Sequence, residues 1–174
     1  MGESALNARL GTLEPMSFVI RTATPEDAAD LALVRVTSWR ETYSHILSAE
    51  FLDQLDVAEG TERWRRSLET GRADTMVLDV NGEVRGYATA GAPHSEEKPR
   101  DLELYMIYQL ASEHGNGSGQ ALLDATIQDR PCFVWVAELN PRAIAFYHRN
   151  GFEPDGAREV AEQWENLAEI RMVR

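Results

Sequence analysis

The stretch that most constrains the fold runs from Glu103 to Ala125, ELYMIYQLASEHGNGSGQALLDA. An apolar strand ends, a short polar turn follows, glycines stand at 115, 117 and 119, and an amphipathic helix begins. Glycine has no Cβ, so the backbone there can adopt φ > 0 and come close to a ligand. The free N–H groups at a helix start lie at the positive end of the helix dipole and suit a phosphate. Read without a ligand, the segment is a tight strand-to-helix turn, but three alternating glycines then cost backbone entropy with no structural return. A dinucleotide fingerprint needs glycine where Gln120 stands, and a P-loop needs Lys and Ser or Thr where Gln120 and Ala121 stand.

The flanking pattern predicts one α/β domain over 18–174, preceded by an extension over 1–17 with weak periodicity. FVIRTA (18–23) reads as a strand. Thr24-Pro25-Glu26-Asp27 is a helix start, with Pro at the first position and acids in the first turn. Two further helices are expected near 49–55 and 57–69, with Trp64 and Leu68 facing inward. TMVLDV (75–80) and EVRGYATAG (83–91) flank Asn81-Gly82, a strong hairpin turn. Strands follow at 102–110 and 132–139, a helix at about 117–128, another from Pro141 to Asn150-Gly151, and two last strands at 156–163 and 167–173.

Net charge decides against one class of partner. Seventeen basic against twenty-nine acidic residues give −12, which disfavours a nucleic-acid backbone and suits a cationic substrate as well as a merely solvated surface. No apolar run reaches the roughly 18 residues of a membrane helix, and no secretory signal is read at the N-terminus, so a cytoplasmic location is expected. Cys132 is the single cysteine and reads as a buried strand residue. His94, His114 and His148 lack the spacing of a metal site, so no metal is expected.

Two motifs carry a resemblance. His114-Gly115-Asn116-Gly117-Ser118-Gly119 resembles the pyrophosphate loop of the GNAT superfamily of acyl-CoA N-acyltransferases, with His at a position usually held by Arg or Gln. Asn140-Pro141-Arg142-Ala143-Ile144-Ala145-Phe146-Tyr147, followed by Asn150-Gly151-Phe152, resembles that family's N-x-x-A-x-x-F-Y-x-x-x-G-F segment. The likeness extends over most of 18–174 and includes Arg21, Ala23 and Asp27. It implies a mixed, mostly antiparallel twisted sheet with helices on both faces. It also implies acetyl-CoA as co-substrate and direct acetyl transfer to an amine in a ternary complex, with no covalent enzyme intermediate.

Carried over residue by residue, the resemblance implies that the backbone of Ile107, Tyr108 and Gln109 pairs with the pantetheine arm. An N–H near Gln109 faces the oxyanion, residues 114–119 hold the pyrophosphate, and Asn140 meets the pantetheine or ribose end. Tyr147 is the candidate general acid, since a phenol can protonate a thiolate; read as structure, it is a half-buried helix aromatic. Glu103 is a candidate base or a solvated strand-end acid. Tyr105 shares its strand face by the alternation of side chains, and Tyr108 takes the opposite face.

Trp39 and Tyr43, four apart, share one helical face. Within W-R-E-T-Y they resemble a stretch found in polyamine and related small-amine acetyltransferases. They either wall an acceptor pocket by cation–π contact or pack in the core. Glu41 lies off that face and is open to an amine; His45 is either a base or an exposed loop residue. Trp164 is expected at a turn or a dimer contact, and a homodimer accords with the family. The expected acceptor is a small-molecule amine, polyamine-like or other. Acylation of a protein N-terminus or lysine, and a non-catalytic acyl-CoA-binding module, stay open as alternatives.

Overall fold

Seven strands form one sheet in the order β1-β2-β3-β4-β5-β7-β6 in the computed structural model, which describes residues 18–174. The extension expected over 1–17 lies outside the described residues. The strands are β1 (Phe18–Thr22), β2 (Ala73–Val80), β3 (Glu83–Gly91), β4 (Glu103–Gln109), β5 (Phe133–Ala137), β6 (Glu153–Ala161) and β7 (Leu167–Val173). Every neighbouring pair is antiparallel except β4 and β5, so the sheet is mixed and mostly antiparallel as expected. The helices are α1 (Ala28–Tyr43), α2 (Ala49–Asp53), α3 (Val57–Thr70), α4 (Ser118–Ile127) and α5 (Pro141–Arg149).

Local chemistry explains the element boundaries. Asn81 and Gly82 take φ of 55° and 87°, the pair of positive values that a type I′ hairpin requires. Pro25 to Asp27 forms a single tight helical turn ahead of α1. There the Asp27 carboxylate accepts the Thr24 N–H at 2.8 Å and a two-pronged contact from Arg21 at 2.8 Å. The guanidinium holds the Asp27 carboxyl below the usual carboxylate range and ties β1 to the start of α1.

Alternation along the central strands divides the core into two faces. Val77 and Tyr87 pack with Leu31 and Val34 of α1 on one side. Their sequence neighbours Leu78 and Ala88 pack with Leu122, Leu123 and Ile127 of α4 on the other. Truncating one of these fully buried leucines to alanine is expected to cost about 2–5 kcal/mol.

Two irregularities of β4 position the site. Its pairing with β5 has a single register pair, Glu103 with Phe133, supported by the Phe133 N–H donating to the Leu102 carbonyl at 3.2 Å. Beyond that pair the two strands diverge. On the β3 side the register shifts between Thr89 and Ala90, so Leu104 and Met106 have partners and Tyr105 is the bulged residue. The alternation resets there: Leu104 and Ile107, three apart, share one core cluster, while Met106 and Tyr108 pack on the other side. Strict alternation, with Tyr108 facing away from Glu103, therefore fails across the bulge. Gly91 makes room for the bulge, since a Cβ there would lie 2.6 Å from the Tyr105 hydroxyl oxygen.

Candidate active site

The gap between β4 and β5 opens a cavity of about 1160 Å³. Among the described residues the edge of β4 that faces β5 has no strand partner beyond Glu103, so Ile107, Tyr108 and Gln109 line the cavity; there the Gln109 carbonyl accepts from the Ser38 hydroxyl, at 3.3 Å. An extended chain carrying amides can add to such an edge as a strand would.

The glycine turn closes one end. Gly115 and Gly117 have φ of 83° and 88° with nothing within 4 Å of a built Cβ, so conformation, not crowding, demands glycine at both. Gly119 is different: a Cβ there would sit 2.9 Å from Gln109 Oε1. Asn116 and Ser118 turn their side chains into the loop itself. Asn116 Oδ1 accepts the Ser118 N–H at 2.9 Å, and Asn116 Nδ2 donates to the Glu113 carboxylate at 3.1 Å. Ser118 is fully buried, and its hydroxyl donates to the Glu113 carbonyl at 3.2 Å. His114, Gly115, Gly117 and Gly119 line the cavity, whereas Asn116 and Ser118 do not.

Among the described residues no hydrogen bond occupies the N–H groups of Gly115, Gly117 or Gly119. They form a donor set that fits a pyrophosphate. Gln109 braces the loop from the strand, its Nε2 donating to the Glu113 carbonyl at 3.1 Å, while its buried Oε1 has no partner.

Arg142, in the first turn of α5, was not singled out in the sequence. Its Nη1 donates to His114 Nδ1 at 2.9 Å and its Nη2 to Thr42 Oγ1 at 3.2 Å. Burial and the adjacent guanidinium hold His114 below the usual histidine range, so the imidazole is neutral and accepts. The cation at this end of the cavity therefore comes from the helix, and the histidine orients it.

Three phenols meet near the divergence of the strands. Tyr147 is buried, with its ring 5.5 Å from Phe146 and 5.4 Å from Phe152, and it lines the cavity. Burial, and then the neighbouring phenols of Tyr43 and Tyr108, push its pKa far up, so the hydroxyl stays protonated. It is a buried residue, not a half-buried one. Asn140 caps α5 by accepting the Ala143 N–H at 3.1 Å and also lines the cavity. The Cys132 thiol is buried and pushed up to about 11 by desolvation, which leaves it a poor nucleophile.

Glu103 is not a solvated strand end. It is 9% exposed, and its Oε2 accepts the His94 N–H at 2.9 Å with His94 Nδ1 at 3.2 Å. The His94 ring lies 4.3 Å from Tyr105, whose hydroxyl donates to the Ala92 carbonyl. The sequence weighs His94 only as a metal ligand; its contact with Glu103 comes from the return of the loop after β3 onto the start of β4.

The aromatic wall is largely core. Trp39 is 1% exposed and packs edge-on against Tyr43 at 5.2 Å and Trp164 at 5.1 Å. Its cation–π partner is internal, the Arg35 guanidinium at 4.6 Å. Both Trp39 and Tyr43 nonetheless border the cavity. Trp164 sits in the turn between β6 and β7. Glu41 spends its carboxylate on the Ala111 N–H at 2.9 Å, at the turn after β4, and His45 is exposed.

The opposite wall holds residues that the sequence reading missed. Leu167, Glu169 and Arg171 of β7 all line the cavity, as alternate residues on one face must. Glu169 pairs across the strands with Glu159 of β6. Desolvation, then the Glu159 charge, push the Glu169 carboxyl up to about 7. Arg171 is engaged with Asp155 at 2.8 Å and lies 5.5 Å over the Trp135 ring. Among the described residues no group of three or more His, Cys, Asp or Glu is placed to hold a metal ion, and no helix is long and apolar enough to cross a membrane.

Comparison with known proteins places these features in context. The acetyltransferase (GNAT) family model matches residues 36–152. The Bacillus subtilis protein named Uncharacterized N-acetyltransferase YuaI is 36% identical over 169 residues, covering 87% of this chain and 95% of that protein. Among solved structures, the PaiA N-acetyltransferase of Thermoplasma acidophilum in complex with coenzyme A superimposes with a TM-score of 0.67 at 19% identity, covering 91% of this chain and 100% of that one. YncA, a putative acetyltransferase from Salmonella typhimurium with its cofactor acetyl-CoA, gives a TM-score of 0.67 at 20% identity, covering 91% and 93%.

Proposed function

The chain belongs to the acetyltransferase (GNAT) family, and we propose that it moves an acetyl group from acetyl-CoA to a primary amine of a small molecule. One observation carries this reading. The divergence of β4 from β5 brings a strand edge without a strand partner, a glycine turn with free main-chain N–H groups and a buried phenol onto a single cavity. The N–H groups of Gly115, Gly117 and Gly119, with Arg142 beside them, hold the pyrophosphate. The main chain of Ile107, Tyr108 and Gln109 aligns the pantetheine amides, and Asn140 borders the same path.

Acetyl-CoA supplies the thioester carbonyl on which the amine acts. An N–H at the end of β4 near Gln109 polarises that carbonyl. Tyr147, protonated in its apolar setting, donates to the departing thiolate. Transfer is direct, since the Cys132 thiol is buried and held protonated. The carboxylates of Glu103, Glu159 and Glu169 give the acceptor half of the cavity a negative wall, which favours an acceptor that arrives as a cation. Trp39, Tyr43 and Tyr105 bound that half.

The test is thiol release from acetyl-CoA across polyamines, amino acids, aminoglycosides and basic peptides. Turnover with a small amine, and little with peptides, is the expected result. Turnover confined to peptides would move the acceptor to proteins. Acetyl-CoA binding without turnover on any amine would overturn the transfer reading.

A further inference from the structure

We propose that Glu169 is the catalytic residue that takes the proton from the incoming ammonium, with Glu159 tuning it from the neighbouring strand. This rests on the acetyl-transfer reading and names the acceptor class for that site: an amine that enters protonated, as its ammonium form.

Three observations point to Glu169 rather than Glu103. Glu103 is already committed, its Oε2 accepting from both the backbone and the ring of His94. Glu169 is 9% exposed, lines the cavity, and has no hydrogen-bond or ion-pair partner among the described residues. It also stands close enough to Tyr43 and Tyr108 to raise both phenols, and those two raise Tyr147. The proton acceptor and the proton donor thus line the same cavity, with Tyr43 and Tyr108 between them in the chain of neighbours. A buried carboxylate without a partner is costly, and an ammonium placed against it relieves that cost.

The groups that face Glu169 account for its titration. Glu159 approaches from β6 and raises it. Tyr43 approaches from α1 and Tyr108 from β4, both neutral at ordinary pH. β5 presents the uncharged Ala137. Arg171, two residues along β7, is held by Asp155 and acts on Glu159. Glu103 raises Glu159 in turn. The resulting carboxyl, near 7, is matched to accepting a proton close to neutral pH.

The step balances. The ammonium R–NH₃⁺ gives one proton to the Glu169 carboxylate, and the neutral amine lone pair forms the C–N bond to the acetyl carbon. The C–S bond breaks with its electron pair on sulfur. The sulfur takes a proton from the Tyr147 hydroxyl, which is restored by the second proton leaving nitrogen. Glu169 then releases its proton to solvent. The products are the acetamide and free thiol, with one proton released.

The experiment is the pH profile of kcat/KM for the best acceptor of the panel, in wild type, Glu169→Gln and Glu159→Gln, with acetyl-CoA affinity measured by calorimetry in each. Wild type should rise through an acidic limb near pH 7. Glu169→Gln should lose at least thirtyfold in kcat/KM, lose that limb, and keep acetyl-CoA affinity within twofold. Glu159→Gln should shift the limb to lower pH, because removing the like charge lets Glu169 ionise more readily. A limb unchanged in either variant would overturn the proposal. So would loss of acetyl-CoA binding in Glu169→Gln, which would assign the residue to the donor half. A wild type that binds acetyl-CoA and acetylates nothing would instead overturn the transfer reading, and the proposal with it.

Discussion

The two ends of the cavity are built on opposite principles. The glycine turn between β4 and α4 is braced from within: Glu113, Asn116 and Ser118 bond to one another and leave the main-chain donors of Gly115, Gly117 and Gly119 free beside His114. On the β6–β7 wall Arg171 pairs with Asp155, but Glu169 is buried opposite Glu159 with no partner among the described residues. A turn braced from within presents a fixed donor array and needs no particular side chain toward the ligand. A buried carboxyl beside a like charge holds an imbalance that a cationic partner can relieve. A fixed set of main-chain donors sits at one end and an unpaired buried carboxyl at the other.

The largest expected effect should set the two ends furthest apart. The Glu169 carboxyl, raised from the ordinary 4.5 to about 7, holds its proton more tightly in the folded than in the unfolded chain. Folded stability therefore falls as pH rises from about 4.5 through 7. Glu169→Gln removes that loss, so at pH 8 the variant should gain up to about 3 kcal/mol in denaturant unfolding while it loses turnover. A variant no more stable than wild type at pH 8 would break the contrast.

Gly117→Val should act at the other end, because φ of 88° is forbidding for a β-branched residue. Calorimetry should show acetyl-CoA affinity about fiftyfold weaker, or about 2 kcal/mol, with no shift in the pH midpoint that Glu169 sets.

Tyr147→Phe tests the place where the ends meet. A tenfold or greater fall in kcat, about 1.4 kcal/mol of barrier, is expected with acetyl-CoA affinity unchanged. An unaffected kcat would take Tyr147 out of proton transfer. The smallest effect belongs to Asn116→Ala. It removes the acceptor for the Ser118 N–H and one brace on Glu113, and should cost about 1 kcal/mol of stability in thermal unfolding.

The same contrast explains what could be read in advance. The glycine turn was legible because three positions at one spacing encode a backbone conformation, and Gly115 and Gly117 adopt it. The hairpin at Asn81-Gly82 was legible for the same reason. The bulge at Tyr105 was not, because it depends on where β4 registers against β3, and its reset of the side-chain faces misplaced Tyr108. Trp39 and Tyr43 were correctly put on one helical face, but only the packed structure shows that Arg35 already occupies the tryptophan ring. His94 acquires its partner through the return of the 92–102 loop onto Glu103, a contact with no sequence periodicity behind it.

By itself, the sequence determined the local conformations and their order: where the chain must turn, which strands and helices follow, and which loop takes positive φ at its glycines. These depend on φ/ψ preferences and on periodicity between near neighbours. Only the tertiary structure decided the charge and proton chemistry of the cavity. Whether Glu103, Glu159 or Glu169 is paired, exposed or desolvated depends on which strands diverge and which faces they turn inward, and the energy of a carboxylate is set by that surrounding dielectric and its neighbours.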